Sequence, residues 1–230
     1  MKSNRNTRRS GGGDSSKSSG KARSKSSGKA KTASPTKLRI IGGDMRGRII
    51  HYHGAEFTRP MKDNIRENLF NILGRAAKGA ICFDLFAGTG AMGFESLSRG
   101  ATSAVLVEQN RQAVKYIHKT AESIGIEDRI RVVTGDTFRL ASALLAPPQE
   151  DTPWIVFLCP PYVLWEESLD ELNRIIQMTL DHAPPGSVLV AETEKRFDPA
   201  KLPAGEWDLR EYGGTRLAFI EPAMKCGMSL

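Results

Sequence analysis

The sequence predicts an α/β protein built on a mostly parallel sheet with helices on both faces. Three observations carry that prediction. Between residues 80 and 191 short apolar runs alternate with longer stretches of helical periodicity, and repeated βα units call for parallel strands covered on both sides. The last two strand-like runs, 207–212 and 216–221, flank Gly213-Gly214 with no helix between them, so they should pair antiparallel. The chain has 230 residues, 40% of them hydrophobic, which suffices for the core of one ordinary domain with extensions.

Taken in order, residues 38–41 and 47–50 are β-like runs separated by Gly42-Gly-Asp-Met-Arg46, which predicts a small hairpin. Thr58-Arg-Pro60 then breaks the chain. Over 64–76, Ile65, Leu69, Ile72 and Leu73 recur at helical spacing, with Asp63 placed to cap the start. Residues 80–86, 104–108, 130–134, 155–158 and 188–191 read as buried strands, and 91–99, 110–124, 137–146 and 166–182 as helices.

Charge is unevenly spread. Residues 1–36 hold ten Lys or Arg against the single acid Asp14, whereas the remaining 194 residues hold 23 basic and 25 acidic groups, for a total of +7. The segment is rich in Ser, Gly and Lys, without an aromatic or branched aliphatic side chain, so it cannot bury enough apolar surface to offset ordering and is expected to be disordered. It offers no apolar h-region for a secretory signal and no apolar face for a transit peptide. A basic arm touching RNA phosphates and a merely solubilising tail both fit. No apolar run of about 18 residues suggests a membrane span. Cys82, Cys159 and Cys226 are too few and too far apart for a disulfide framework or a zinc cluster, which fits a reducing cytoplasm. His51, His53, His118 and His182 are scattered, and no metal site is expected.

The first chemical signal is the loop Asp84-Leu-Phe-Ala-Gly-Thr-Gly90, which follows an apolar strand and opens a helix, where backbone N–H groups can face a ligand. Gly88, Gly90 and Gly93 satisfy the dinucleotide spacing, which alone would also admit a nicotinamide-dependent oxidoreductase. Asp84 shifts the balance, because a carboxylate there can accept from the ammonium group that S-adenosylmethionine has and NAD lacks. Glu108 closes the second strand, where an acid meets ribose hydroxyls. Asp136, after the third strand, could accept from an adenine amine or cap the helix that follows.

The second signal is Cys159-Pro-Pro-Tyr162, at the end of the fourth strand. The proline pair stiffens the backbone and cannot extend a ladder. By itself this is a rigid turn with a tyrosine packed on it. Beside the glycine loop, the carbonyl of Cys159 or Pro160 can accept from an exocyclic amine, and Tyr162 can stack on a flipped base.

Residues 38–222 resemble the RsmD family of bacterial methyltransferases, which act on the guanine N2 amine in small-subunit ribosomal RNA. The resemblance rests on Arg39-Ile-Ile-Gly-Gly43, Arg46-Gly-Arg48, Thr58-Arg-Pro60, Arg66-Glu-Asn-Leu-Phe-Asn-Ile-Leu73, Asp84-Leu-Phe-Ala-Gly-Thr-Gly-Ala-Met-Gly93, Leu97-Ser-Arg-Gly-Ala101 and Tyr212-Gly-Gly-Thr-Arg216. It implies a Rossmann-like class I fold, seven-stranded, with S-adenosylmethionine as cofactor. It also implies a division into a tail at 1–36, a methyltransferase domain at 37–222 with a β-hairpin extension at 37–57, and a C-terminal tail at 223–230. The family's cofactor contacts fall on Asp84, Phe86, Ala87, Gly88, Gly90, Glu108 and Asp136, with Thr58, Arg59 and Pro60 closing the site, and the target amine falls to Cys159, Pro160, Pro161 and Tyr162. The implied partner is small-subunit rRNA or the assembling 30S subunit, with no membrane, for a monomer in the cytoplasm.

Cys159 departs from the family, which has Asp before Pro-Pro-Tyr. A guanine amine is a poor nucleophile because its lone pair is delocalised into the ring, and an acceptor oxygen helps expose that pair. A thiol is a weak acceptor, and burial keeps it protonated. Three readings follow: an active amine methyltransferase that tolerates the thiol, a binding homologue impaired in turnover, or a pyrimidine C5-methyltransferase with Cys159 as nucleophile.

Overall fold

Five strands run parallel in the computed structural model: β1 (Ile81–Asp84), β2 (Ser103–Glu108), β3 (Ile130–Thr134), β4 (Trp154–Leu158) and β5 (Val188–Glu194). β7 (Thr215–Ile220) lies antiparallel to β5, and β6 (Asp208–Tyr212) antiparallel to β7, so the seven strands stand in the order β3-β2-β1-β4-β5-β7-β6. The structure describes residues 38–52, 54, 60–148 and 150–223, all within the unit Pro35–Leu230. The tail at 1–36, residues 224–230, Thr58, Arg59, His53 and Cys226 lie outside the described residues.

Among the described residues six helices cover the sheet: α1 (Asp63–Leu73), α2 (Ala91–Ser98), α3 (Arg111–Ile124), α4 (Thr137–Leu144), α5 (Leu164–Glu167) and α6 (Leu169–His182). The alternation of β4 explains the two layers. Ile155 and Phe157 join a core with α1, α2 and α3, whereas Trp154, Val156 and Leu158 join a second core with α4, α5 and α6. All five residues of this strand are buried, as a continuous apolar run between two helical layers must be. Among the described residues no helix is long and apolar enough to cross a membrane.

The expected seven-strand sheet and its closing hairpin are present, but several local expectations need correction. Residues 38–50 are held by backbone bonds such as Ile40 N–H to Arg48 O (3.0 Å) and Ile50 N–H to Leu38 O (2.9 Å), yet they form only the isolated antiparallel bridge Arg39 to Ile49. The segment gains its hold from α2 instead. Glu95, fully buried, accepts from the N–H groups of Ile41 and Gly42, both at 2.8 Å. Gly43, at φ +72°, sits so close to α2 that an added Cβ would lie 1.8 Å from the Ser98 carbonyl oxygen.

Asp63 does not cap α1. The N-cap is Lys62, without a side-chain bond, while the Asp63 carboxylate reaches Arg66 at 3.1 Å and Arg39 at 3.7 Å. Ile72 is 38% exposed and Arg66 fully buried, the reverse of what apolar spacing predicts. The helix is turned to bring the Arg66 guanidinium to the Arg39 carbonyl (2.7 Å) and beside Glu95 (3.8 Å). The helix expected at 166–182 is two helices, because Ser168 leaves helical geometry at φ −138°. β5 runs three residues further than its apolar stretch, to Glu194.

Candidate functional site

The site lies at the carboxyl edge of the sheet, where β1 has β2 on one side and β4 on the other. Chain connections leave in opposite directions at this point, and α/β sheets open a crevice there. The loop after β1 is pinned by Leu85 N–H to Phe157 O (3.1 Å), Ala87 N–H to Val107 O (2.9 Å) and Gly90 N–H to Ala87 O (2.7 Å). Gly90 adopts φ +76°, and a Cβ there would approach Phe94 at 2.9 Å and Leu106 at 3.0 Å. Its glycine is thus required both by backbone conformation and by the close seating of α2 on β2. Phe86 packs edge-on against Phe138 of α4 at 5.9 Å, and the Thr137 hydroxyl donates to the Leu85 carbonyl.

Asp84 is the most strained group of this loop electrostatically. Only 1% exposed, its carboxyl is pushed up to about 7, first by burial and further by the charge of Glu108, against a lowering by the Gly93 N–H. Its Oδ2 is buried with no hydrogen-bond partner. A buried carboxylate atom left unpaired costs stability unless a donor or cation arrives to meet it. An ammonium-bearing ligand supplies that donor, which makes this carboxylate a fitting partner for the S-adenosylmethionine amino group.

Glu108 is joined directly to the loop, with Oε2 accepting from Gly88 N–H and Oε1 from Asn110 N–H, each at 2.7 Å. Both oxygens retain lone-pair capacity, so the loop orients this carboxylate without exhausting it. Asp136 is the N-cap of α4, its side chain accepting from Phe138 N–H at 2.9 Å. The capping alternative is therefore realised, and the second oxygen of Asp136 stands 3.8 Å from exposed Arg139. Pro60 is half-buried just before α1.

Across the crevice, Cys159 follows β4 directly, and Pro160-Pro161 leads into the turn that starts α5. The thiol is held well above its ordinary range by burial first, then by the charges of Glu192 and Asp84, so it is a thiol and not a thiolate. Tyr162 is fixed by its hydroxyl, which donates to Glu192 Oε1 at 2.8 Å and lies 2.9 Å from Thr215 Oγ1. Because that hydroxyl has one proton, Thr215 is the donor in the second bond. Burial pushes the phenol up to about 12. Beside this tyrosine opens a cavity of about 300 Å³, whose walls include Trp165, Phe197, Arg196 and Lys201.

Asp84, Phe86, Ala87, Gly88, Gly90 and Glu108 are thus gathered around one loop, Asp136 stands at the neighbouring strand end, and Cys159 to Tyr162 face them from β4. Sequence reasoning missed Glu192 and Thr215. Glu192 could have been found by extending the logic applied to Asp84 and Glu108, since it too is an acid at the carboxyl end of a buried strand. Among the described residues no cluster of His, Cys, Asp and Glu could hold a metal ion.

Residues 38–221 match the family described as Conserved hypothetical protein 95. Ribosomal RNA small subunit methyltransferase D of Escherichia coli (strain K12) is 39% identical over 140 residues, 60% of this chain and 67% of its own length. The Haemophilus influenzae protein of the same name is 29% identical over 174 residues, 75% of this chain and 86% of its own. The solved structure of the Escherichia coli protein YhhF superposes with a TM-score of 0.65 at 29% identity, covering 81% of this chain and 98% of its own.

Proposed function

We propose, from the premise that the chain belongs to the Conserved hypothetical protein 95 family, the family of the RsmD methyltransferases, that it methylates the exocyclic N2 amine of a guanine in small-subunit ribosomal RNA. The protein is a methyltransferase acting on ribosomal RNA, with S-adenosylmethionine as its cofactor.

The observation that carries the reading is the unpaired Oδ2 of buried Asp84 beside the glycine loop, facing the rigid Cys159-Pro-Pro-Tyr162 turn across the switch point. When bound, the cofactor supplies an electrophilic methyl group on a positively charged sulfur. Asp84 meets its ammonium group, Glu108 its ribose hydroxyls, and Asp136 its adenine amine, with Phe86, Ala87, Gly88 and Gly90 lining the cradle and Pro60 beside it. On the other side Tyr162 stacks on the target base, while the backbone carbonyl at Cys159 or Pro160 accepts one N–H of its amine. Holding amine and methyl donor in line is where most of the acceleration arises, because no proton transfer need precede attack.

Cys159 does not serve as a nucleophile in this reading. Burial and two neighbouring carboxylates keep it protonated, and the thiolate is the reactive form. Incubation of the protein with labelled cofactor and undermethylated small-subunit RNA or ribonucleoprotein, followed by nucleoside analysis, should yield N2-methylguanosine. Cofactor binding without any methylated nucleoside would refute the activity, and 5-methylcytosine or 5-methyluracil would refute the choice of atom.

A further inference from the structure

Glu192 is a charged neighbour of Cys159, the departure from the family motif. Asp84 is level with Phe157 in the pairing of β1 with β4, and Cys159 follows two residues later on the same face. Leu158 is level with Ala191 in the pairing of β4 with β5, which brings Glu192 alongside Cys159. The Cys159 thiol and the Glu192 carboxylate are close enough to shift each other's proton affinity. The Tyr162 hydroxyl donates to Glu192 Oε1 at 2.8 Å, and Trp165 Nε1 donates to the Glu192 carbonyl at 2.8 Å, so backbone and carboxylate are both anchored. No part of the cofactor cradle uses this residue.

We propose that Glu192 is the acceptor carboxylate of the target slot, reaching from β5 to hold and finally deprotonate the exocyclic amine that the missing aspartate would otherwise contact. This role rests on the amine-methylation reading above. The thiol of Cys159 is a weak donor, so it competes poorly with a substrate N–H for the carboxylate. During transfer the amine nitrogen forms a bond to the methyl carbon, the carbon–sulfur pair stays on sulfur as a neutral thioether, and the nitrogen is left with one proton too many. That proton passes to Glu192 and from it to solvent. Burial raises the proton affinity of Glu192 by more than the bond from Tyr162 and the neighbouring thiol lower it, so the group is a better proton acceptor than an exposed glutamate. A thiol at position 159 also avoids crowding a third carboxylate between Asp84 and Glu192, where like charges would force one to hold a proton.

The test uses the full chain and its Glu192→Gln variant, which keeps size and one acceptor oxygen but not basicity. Wild type should give N2-methylguanosine, with a rate at saturating cofactor, where the bound ammonium keeps Asp84 ionised, that falls at low pH as Glu192 takes up a proton. Glu192→Gln should lose about 100-fold in kcat and lose that acidic limb, with cofactor affinity unchanged. Without cofactor, wild type should bind RNA carrying guanosine at the mapped position about tenfold more tightly than RNA carrying inosine, which lacks the amine; the variant should lose most of that preference. If Glu192→Gln does not fold, Tyr162→Phe keeps the ring and removes a bond to the ionised carboxylate, and should move the acidic limb to higher pH. Wild-type rates, pH profile and guanosine preference in Glu192→Gln, or an unmoved limb in Tyr162→Phe, overturn the role of Glu192 and leave guanine N2 methylation standing. Absence of methylguanosine from wild type overturns the activity and this role with it.

Discussion

Replacing Asp84 by asparagine should stabilise the protein at alkaline pH while weakening its hold on cofactor. Its carboxyl is raised from 3.8 to about 7, chiefly by burial. At about 1.36 kcal/mol for each tenfold change in proton affinity, the buried charge costs at most about 4 kcal/mol. The folded state keeps a proton on Asp84 between 3.8 and about 7 that the unfolded chain has released. Stability therefore declines as pH rises through that window and is level above it. Between pH 5 and pH 8 the decline works out at roughly 2 to 3 kcal/mol. Asparagine does not titrate, and the cost of its own unpaired amide is the same at both pH values. Urea unfolding of both proteins at the two pH values isolates the effect, because the variant-minus-wild-type stability difference should become more favourable by that amount at pH 8. A change below about 0.5 kcal/mol would refute an up-shifted Asp84. Calorimetry in buffers of different ionisation enthalpy adds a second reading. An arriving ammonium group favours the ionised carboxylate, so wild type should release a fraction of a proton near pH 7 on binding cofactor and Asp84→Asn none.

Two further perturbations probe the scaffold. Glu95→Gln breaks the buried pairing with Arg66 and Arg99 and should cost about 3 to 5 kcal/mol in chemical denaturation; hydrogen exchange should rise first at Ile41 and Gly42, whose N–H groups it holds. Gly90→Ala puts a Cβ 2.9 Å from Phe94 at φ +76° and should cost about 2 to 4 kcal/mol and weaken cofactor affinity, whereas Gly214→Ala, with open space around it, should be nearly neutral by thermal melting.

Much of the site was legible because its signals are local. A glycine loop between a buried strand and a helix, acids at strand ends and a proline pair are read from adjacent residues, and the parallel order of the sheet then carries them to one edge. Arg66 was illegible for the opposite reason. Its partners, the Arg39 carbonyl and Glu95, are distant in sequence, so apolar spacing assigned its place on α1 to Ile72. Glu192 was missed because β5 outlasts its apolar run, and the strand was closed at Ala191.

The sequence by itself determined the order of strands and helices, the closing hairpin, the glycine loop with Asp84 and Glu108, and the anomaly at Cys159. These follow from periodicity, turn chemistry and residue type, all short-range properties of the chain. Only the tertiary structure decided that Asp84 is buried with an unpaired oxygen, that Asp136 spends one oxygen on a helix cap, and that Glu192 stands beside Cys159 with Tyr162 bound to it. Proton affinity and hydrogen-bond capacity depend on what surrounds a group in space, and those surroundings come from strands up to 108 residues apart in the chain, from Asp84 to Glu192.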